Sequence, residues 1–440
     1  MSNRRGSLLV VCYLLLAFLT TWGATMFSRS AQELAGSERY VDSLQAFHLA
    51  EAGLDRAMQW LRSQPTPPGG NIAFDPFTNP AIQNCSTADP SQPARAAQTM
   101  AGGTYLVCVD PDDNNPIGFM DRYTISVLGI ASGGMARRQL TKLTQTLSFS
   151  RYSYYTQWEQ MANGTNIWFT SANHLAGPVH TNDQFNIAGS PVFDGEVTSA
   201  AASINYRNPP PTGGNNPQFN AGLSLGVAPI TMPVSAAKLR TAAASANGIW
   251  YVGNTTITLQ NDGTMLVTNP VAGLTNAVTL LPSNGALFVN GGNLTVSGQL
   301  NGQVTLGTSE DMLLVNHITY ANNPEADPSS DDMLGLVAEK NVVISTTAPN
   351  DLHVRGSIMA LETSFTVENW WAGSPRGTLD IFGGIIQERR GPVGTFNSSS
   401  GDLLSGYSKD YRYDTRLLNM TPPFFPTTGQ FEELYWEERQ

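Results

Sequence analysis

The sequence predicts an α+β head built on one long N-terminal helix, followed by an all-β region of solenoid type. Three observations carry this: an uncharged apolar run over residues 7–27 that continues into a helical pattern, three strand-like segments between residues 104 and 147, the first two of them alternating, and short β-rich pieces recurring to the end of the chain. At 440 residues the chain has room for about two or three domains of ~150 residues each. Only 13% of residues are charged, against about 25% in an ordinary soluble domain, and Gly, Asn, Ser and Thr stand in their place. The net charge of −11 excludes a polyanion partner such as nucleic acid, because such a partner needs a Lys/Arg-rich face; no basic cluster exceeds Arg137-Arg138 or Arg389-Arg390.

The apolar run of 21 residues, 7–27, is long enough to cross a ~30 Å hydrocarbon core as a helix. Arg4 and Arg5 precede it, which leaves the N-terminus in the cytoplasm and the chain after Phe27 outside. No A-x-A-like site lies between Thr20 and Arg29, which favours a retained segment over a removable secretory signal. Beyond it Leu34, Val41, Leu44, Phe47, Leu54, Met58 and Leu61 recur at helical spacing between charged residues, and Pro65, Pro67 and Pro68 end the pattern. Residues 7–63 then form one helix of roughly 85 Å, a membrane-crossing part over 7–27 and an amphipathic part over 28–64 that packs on a domain.

Arg4-Arg5-Gly6 followed by Ser7 and an apolar helix resembles a class III prepilin leader, with residues 1–6 as leader and cleavage between Gly6 and Ser7. Ala50-Glu51-Ala52-Gly53-Leu54 is similar to the A-E-A segment of PilX-like minor pilins, so the resemblance runs from the N-terminus to the neighbourhood of Pro65. It implies a prepilin peptidase, other pilins or pseudopilins and an assembly platform as partners, with Val11 and Glu51 on the helix interface. Type IV pilins usually carry Glu at the fifth mature position, where this chain has Val11. That departure resembles tip or initiating minor pilins and pseudopilins, or a protein that is not polymerised. The alternative is an uncleaved single-pass anchor with a juxtamembrane helix.

After a Pro/Asn/Gly-rich stretch, residues 104–109, 123–128 and 138–147 read as strands of an antiparallel meander that buries one face on the outer half of the helix. The pilin-like sheet head is placed at 65–150. Of the three cysteines, Cys12 sits in the apolar run, while Cys85 and Cys108 lie in the head. These two read as one structural disulfide in an oxidising compartment, or as two unrelated buried thiols.

From 151 to 405 short apolar pieces such as Ile249–Val252, Val342–Ile344 and Phe365–Val367 recur at intervals near ten, separated by Gly and Asn. Two or three such strands per coil give a β-solenoid of β-helix type; a β-sandwich is the competitor. Residues 208–233 read as a long surface loop and 235–246 as a short Ala-rich helix. Tyr407, Tyr411, Tyr413, Phe424, Phe425, Phe431, Tyr435 and Trp436 make 406–440 an aromatic cap over the solenoid end, or an aromatic glycan platform. Gly177-Pro178-Val179-His180-Thr181-Asn182, with Gly383-Gly384, Arg389-Arg390-Gly391-Pro392, Gly406-Tyr407 and Tyr413-Asp414, resembles uncharacterised bacterial envelope proteins that join a prepilin-like N-terminus to a β-rich domain.

No nucleotide-binding, zinc-protease, α/β-hydrolase or C-x-x-C motif is present, and no cofactor is expected. His174, His180 and Asp183 form a weak metal candidate, against the simpler reading of polar side chains satisfying a Gly-Pro turn. Polysaccharide lyases and hydrolases often use β-helices. Asp380, Glu388, Arg389 and Arg390, or the loop of Asp327, Asp331 and Asp332, would then supply the converging carboxylates; solvated turns and salt bridges between coils are the simpler reading. The expectation is therefore a non-enzyme: a membrane-anchored minor pilin or pseudopilin-like protein of pilus or type II secretion-like assembly. Its bulk would be periplasmic or extracellular, placed at a pilus tip or displayed for adhesion, with a glycan or surface ligand among its partners.

Overall fold

The computed structural model describes residues 4–63, 73–74, 81–82, 98–111, 121–207, 214–397 and 402–439. The chain divides into two compact units, one of Met1–Asp113, Asp121–Gln145 and Glu432–Gln440, the other of Asn114–Met120 and Thr146–Phe431. A long N-terminal apolar helix thus precedes a largely β-rich chain, an α+β arrangement.

In the first unit a single helix runs Arg4–Ser63, about 90 Å at 1.5 Å per residue. Gly103–Pro111, Arg122–Ala131 and Arg137–Ser148 form an antiparallel meander, as the three strand-like segments imply. The helix packs on its first two strands through Ala46, Leu49, Ala50, Gly53, Leu54, Ala57, Met58 and Leu61, a stripe spaced at three and four residues. Small side chains set how close the helix lies. A Cβ on Gly129 would stand 2.0 Å from the Ala46 carbonyl oxygen, and one on Gly53 2.6 Å from Val127.

The packed stretch is shorter than the periodicity implies. Leu34, Val41 and Leu44 are exposed, so only the last few turns meet the sheet, and the apolar side chains before Ala46 have no partner among the described residues. A second difference lies at the C-terminus. Thr427–Arg439, expected within an aromatic cap, is a strand beside Arg137–Ser148 in the first unit's sheet. Lys142 pairs with Glu433 at 2.7 Å and Arg138 with Glu438 at 3.1 Å, and the Thr144 hydroxyl donates to the Glu432 carbonyl at 2.7 Å. Tyr435 and Trp436 remain substantially exposed there.

In the second unit nearly all strand pairs are parallel. Tyr154–Trp158 pairs with Val179–Thr181, then Val197–Ser199, then Leu223–Leu225. Two short ladders accompany them, Phe169–Thr170 with Asn186–Ala188 and Asn205–Tyr206, and His174–Leu175 with Val192–Phe193 and Gln218–Phe219. Each rung thus follows the last after a short advance along the chain, Tyr154 meeting Val179, Val179 meeting Val197, and Val197 meeting Leu223. A second series runs Ile249–Val252, Ala286–Asn290, Gln303–Thr308, Met333–Ala338, Leu352–Ala360, Pro375–Arg389. Its last strand pairs back onto Tyr154–Trp158. The strand Tyr154–Trp158 thus pairs with both series, and residues 226–248 connect Leu223–Leu225 to Ile249–Val252. This parallel pairing is not that of an antiparallel sandwich.

Inside the stack, side chains alternate inward and outward: Leu294, Val296, Val342, Ile344, Leu352 and Val354 are fully buried while their neighbours face out. Phe169, Phe185 and Phe193 pack with ring centroids 5.5 to 6.2 Å apart. Gly383 stands in register with Gly356; both have positive φ, and a Cβ on Gly383 would lie 2.1 Å from the Gly356 carbonyl oxygen. Thr264–Asn269 pairs antiparallel with Thr255–Leu259 and brings Met265 and Val267 into the core.

The crossing segment corrects the expected surface loop at 208–233. Gln218–Phe219 and Leu223–Leu225 are rungs of the stack, and Ile230 and Met232 are buried; residues 208–213 lie outside the described residues. With Leu239 and Ala243 of the helix Ala237–Ala243, they cover the outer side of Phe288, Val337, Met359, Ile386 and Tyr155. Strands such as Met333–Ala338 are consequently buried on both faces, which is why they read as unbroken apolar runs.

Candidate functional site

The helix is the first candidate. Gly6 and Ser7 lie within it, Val11 is exposed, and from Leu8 to Leu44 its large apolar side chains face away from the rest of the chain. One stretch, beginning at Leu8, is long and apolar enough to cross a membrane by length and composition. The A-E-A-G segment has a clear local role: Ala50 and Gly53 face the sheet, whereas Glu51 points outward and pairs with His48 Nδ1 at 3.0 Å. Cys108 is buried and disulfide-bonded, Cys12 is a free thiol, and Cys85 lies outside the described residues.

The metal candidates are held by separate partners. His174 Nε2 meets Asp194 at 2.6 Å on the surface. His180 is buried, stacks on Tyr155, and bonds Thr198 at 2.7 Å and Asn182 at 2.9 Å, while Asp183 accepts the Glu159 backbone N–H at 3.0 Å. Burial pushes the His180 imidazole below its ordinary value, which favours its neutral form. Among the described residues no group of three His, Cys, Asp or Glu side chains could hold a metal ion.

Of the residues expected to converge near Asp380, Arg390 turns inward instead. Its guanidinium pairs with the fully buried Glu159 at 2.7 Å, donates to the Ile167 carbonyl at 3.0 Å and lies 3.7 Å from the Phe169 ring centroid. Arg389 sits over Trp158. Burial raises the Glu388 carboxyl above its ordinary value. Asp327 caps its own turn through Ser329, and Asp332 accepts the backbone N–H groups of Gly302 and Asn322. Asp327 and Asp332 are thus engaged by backbone N–H groups of their own loop and of Gly302.

Asp380 heads a cluster on an outward face of the β-rich unit. Its carboxylate takes Arg355 at 2.7 Å, Arg412 at 2.7 Å and His353 Nδ1 at 2.7 Å. Arg412 also pairs with Glu325. Burial alone would raise the Asp380 carboxyl, but hydrogen bonds from Arg355, Arg412 and His353 bring it down to about 2. His317 and His353 stand side by side, ring centroids 5.1 Å apart, and the His353 backbone N–H donates to His317 Nδ1 at 3.1 Å. Neither histidine carries a signal in the sequence. They belong to different strands of the stack, and only the parallel register of Ile318 with Val354 brings them together.

Fold and sites together define a protein with a long apolar N-terminal helix and a large β-rich region. A family model described as a domain of unknown function, DUF4900, matches residues 126–202, a segment that includes Gly177 to Asn182. The chain is similar to the crystal structure of the competence-associated pilin ComZ from Thermus thermophilus, at 14% identity over 90% of this chain and 97% of that one, with a TM-score of 0.30. No curated protein matches.

Proposed function

We propose that this chain is a membrane-anchored, minor-pilin or pseudopilin-like protein of a bacterial envelope filament system, with its β-rich unit displayed for adhesion or assembly. The observation that carries the reading is the division within one helix: residues 46–61 dock on the chain's own sheet, while the apolar side chains of residues 8–44 are left for lipid and for other helices. The leader-like Arg4-Arg5-Gly6 and the A-E-A-G segment support the same reading. Val11 in place of a glutamate supports a tip or initiating position over a repeated one. Parallel rungs that follow one another after short advances along the chain, as Val179, Val197 and Leu223 do, support a β-solenoid as the displayed part.

The test is cell fractionation in the native host. The protein is expected in the sheared filament fraction of wild-type cells and in the inner membrane once the filament's assembly ATPase is deleted. Retention in the inner membrane in both strains would favour a single-pass anchor instead.

A further inference from the structure

The crossing segment covers one sheet of the β-rich unit, but the face around His353 carries no such cover among the described residues. Here adjacent parallel strands present an outward row of polar side chains. His317 stands beside His353, His353 is in register with Asp380, and Asp380 with Asp410. Ser297 prolongs the row beyond His317, opposite a bulge. Strands in such a sheet lie about 4.8 Å apart, so the row is a regular linear track.

Hydrogen bonding fixes what the two imidazoles offer. Asp380 is a carboxylate and can only accept, so His353 Nδ1 carries a proton, and in the neutral ring Nε2 is left as an acceptor. His317 Nδ1 accepts a backbone N–H, so in the neutral ring its proton sits on Nε2. Burial holds the His317 imidazole below its ordinary value, which favours that neutral form. The pair thus presents one donor and one acceptor side by side, the complement of a hydroxyl group. It is ill suited to a metal ion, because the only unengaged His317 nitrogen is protonated. Arg355 and Arg412 are engaged by Asp380 and Glu325, so no unengaged guanidinium remains in the cluster to recognise an anion.

We propose that this face binds a neutral, linear, polyhydroxylated glycan, one hydroxyl bridging His317 Nε2–H and His353 Nε2. The inference stands on the geometry of the β-rich unit and holds whether or not the leader is cleaved.

Full-length protein in a sugar-free detergent would be titrated calorimetrically with maltohexaose, cellohexaose, chitohexaose and hexagalacturonate. At least one neutral oligosaccharide should bind saturably, and hexagalacturonate should not be preferred. His353→Phe and His317→Phe, which keep ring volume at partly exposed positions, should each weaken binding about tenfold while the protein stays folded by circular dichroism. His353→Gln, which keeps an acceptor, should recover part of the loss. The proposal is overturned if no neutral oligosaccharide binds the folded protein, if the two Phe variants bind as the parent does, or if the polyuronate is the tighter ligand.

Discussion

Tyr154, at the start of the β-rich unit's first series of strands, stands in parallel register with Ile385, in the strand Pro375–Arg389 of the second series, and this pairing joins the two halves. Just beyond it, Arg390 from the second half reaches Glu159 in the first at 2.7 Å, both side chains nearly or fully buried. A buried pair of this kind is costly to break on one side, because the remaining charge has no solvent. Arg390→Met should therefore destabilise the β-rich unit by about 3–5 kcal/mol, and adding Glu159→Gln should restore most of the loss. Urea unfolding of the full chain, followed by circular dichroism, would show it; equal instability of the single and double variants would refute the account of the joint.

Gly129 lets the helix backbone approach the sheet. Its substitution by Val should force Ala46 away and cost about 1–3 kcal/mol, as overpacking does. Proteolysis should then cut faster in residues 46–63 than in the parent, while the β-rich unit keeps its own unfolding transition. An unchanged cleavage rate would mean that the close approach is not required.

Asp380 gives a pH dependence with a defined sign. Its folded carboxyl lies near 2, below the ordinary 3.8, so its ion pairs contribute stability that is complete above about pH 5 and lost as pH falls through 4 toward 2. Asp380→Asn should be less stable than the parent at pH 7 by about 1–2 kcal/mol, and the two should converge by pH 2. A gap that persists at pH 2 would indicate a role other than ion pairing.

Much of the architecture was legible because it rests on local patterns. The helix followed from an uncharged run and its continuation to Ser63, and the meander from alternation in residues 104–109 and 123–128 with a third strand-like segment at 138–147. The longer rungs after Ile249 followed from apolar pieces punctuated by Gly and Asn. The early rungs did not, because strands such as Val192–Phe193 and Asn186–Ala188 are too short to show a period. Ile230 and Met232 looked like loop residues, since nothing local tells that a segment will lie across a sheet's outer face. The placement of Thr427–Arg439 was hidden for a related reason: it completes a sheet whose other strands all precede Phe149, with the whole β-rich stack lying between them in the chain. Of the site near Asp380, the acid was visible as a candidate, but its partners His353, Arg355 and Arg412 come from register alone. Arg390, adjacent in sequence to the expected cluster, belongs to the joint.

The central claim is that the N-terminal helix is a processed pilin-like helix. Its most direct test is the mature N-terminus, read by mass spectrometry on protein isolated from a host that carries its prepilin peptidase. Ser7 as the first residue, lost in a Gly6→Val variant, is the expected result. A chain that still begins before Gly6 in that host would contradict the claim.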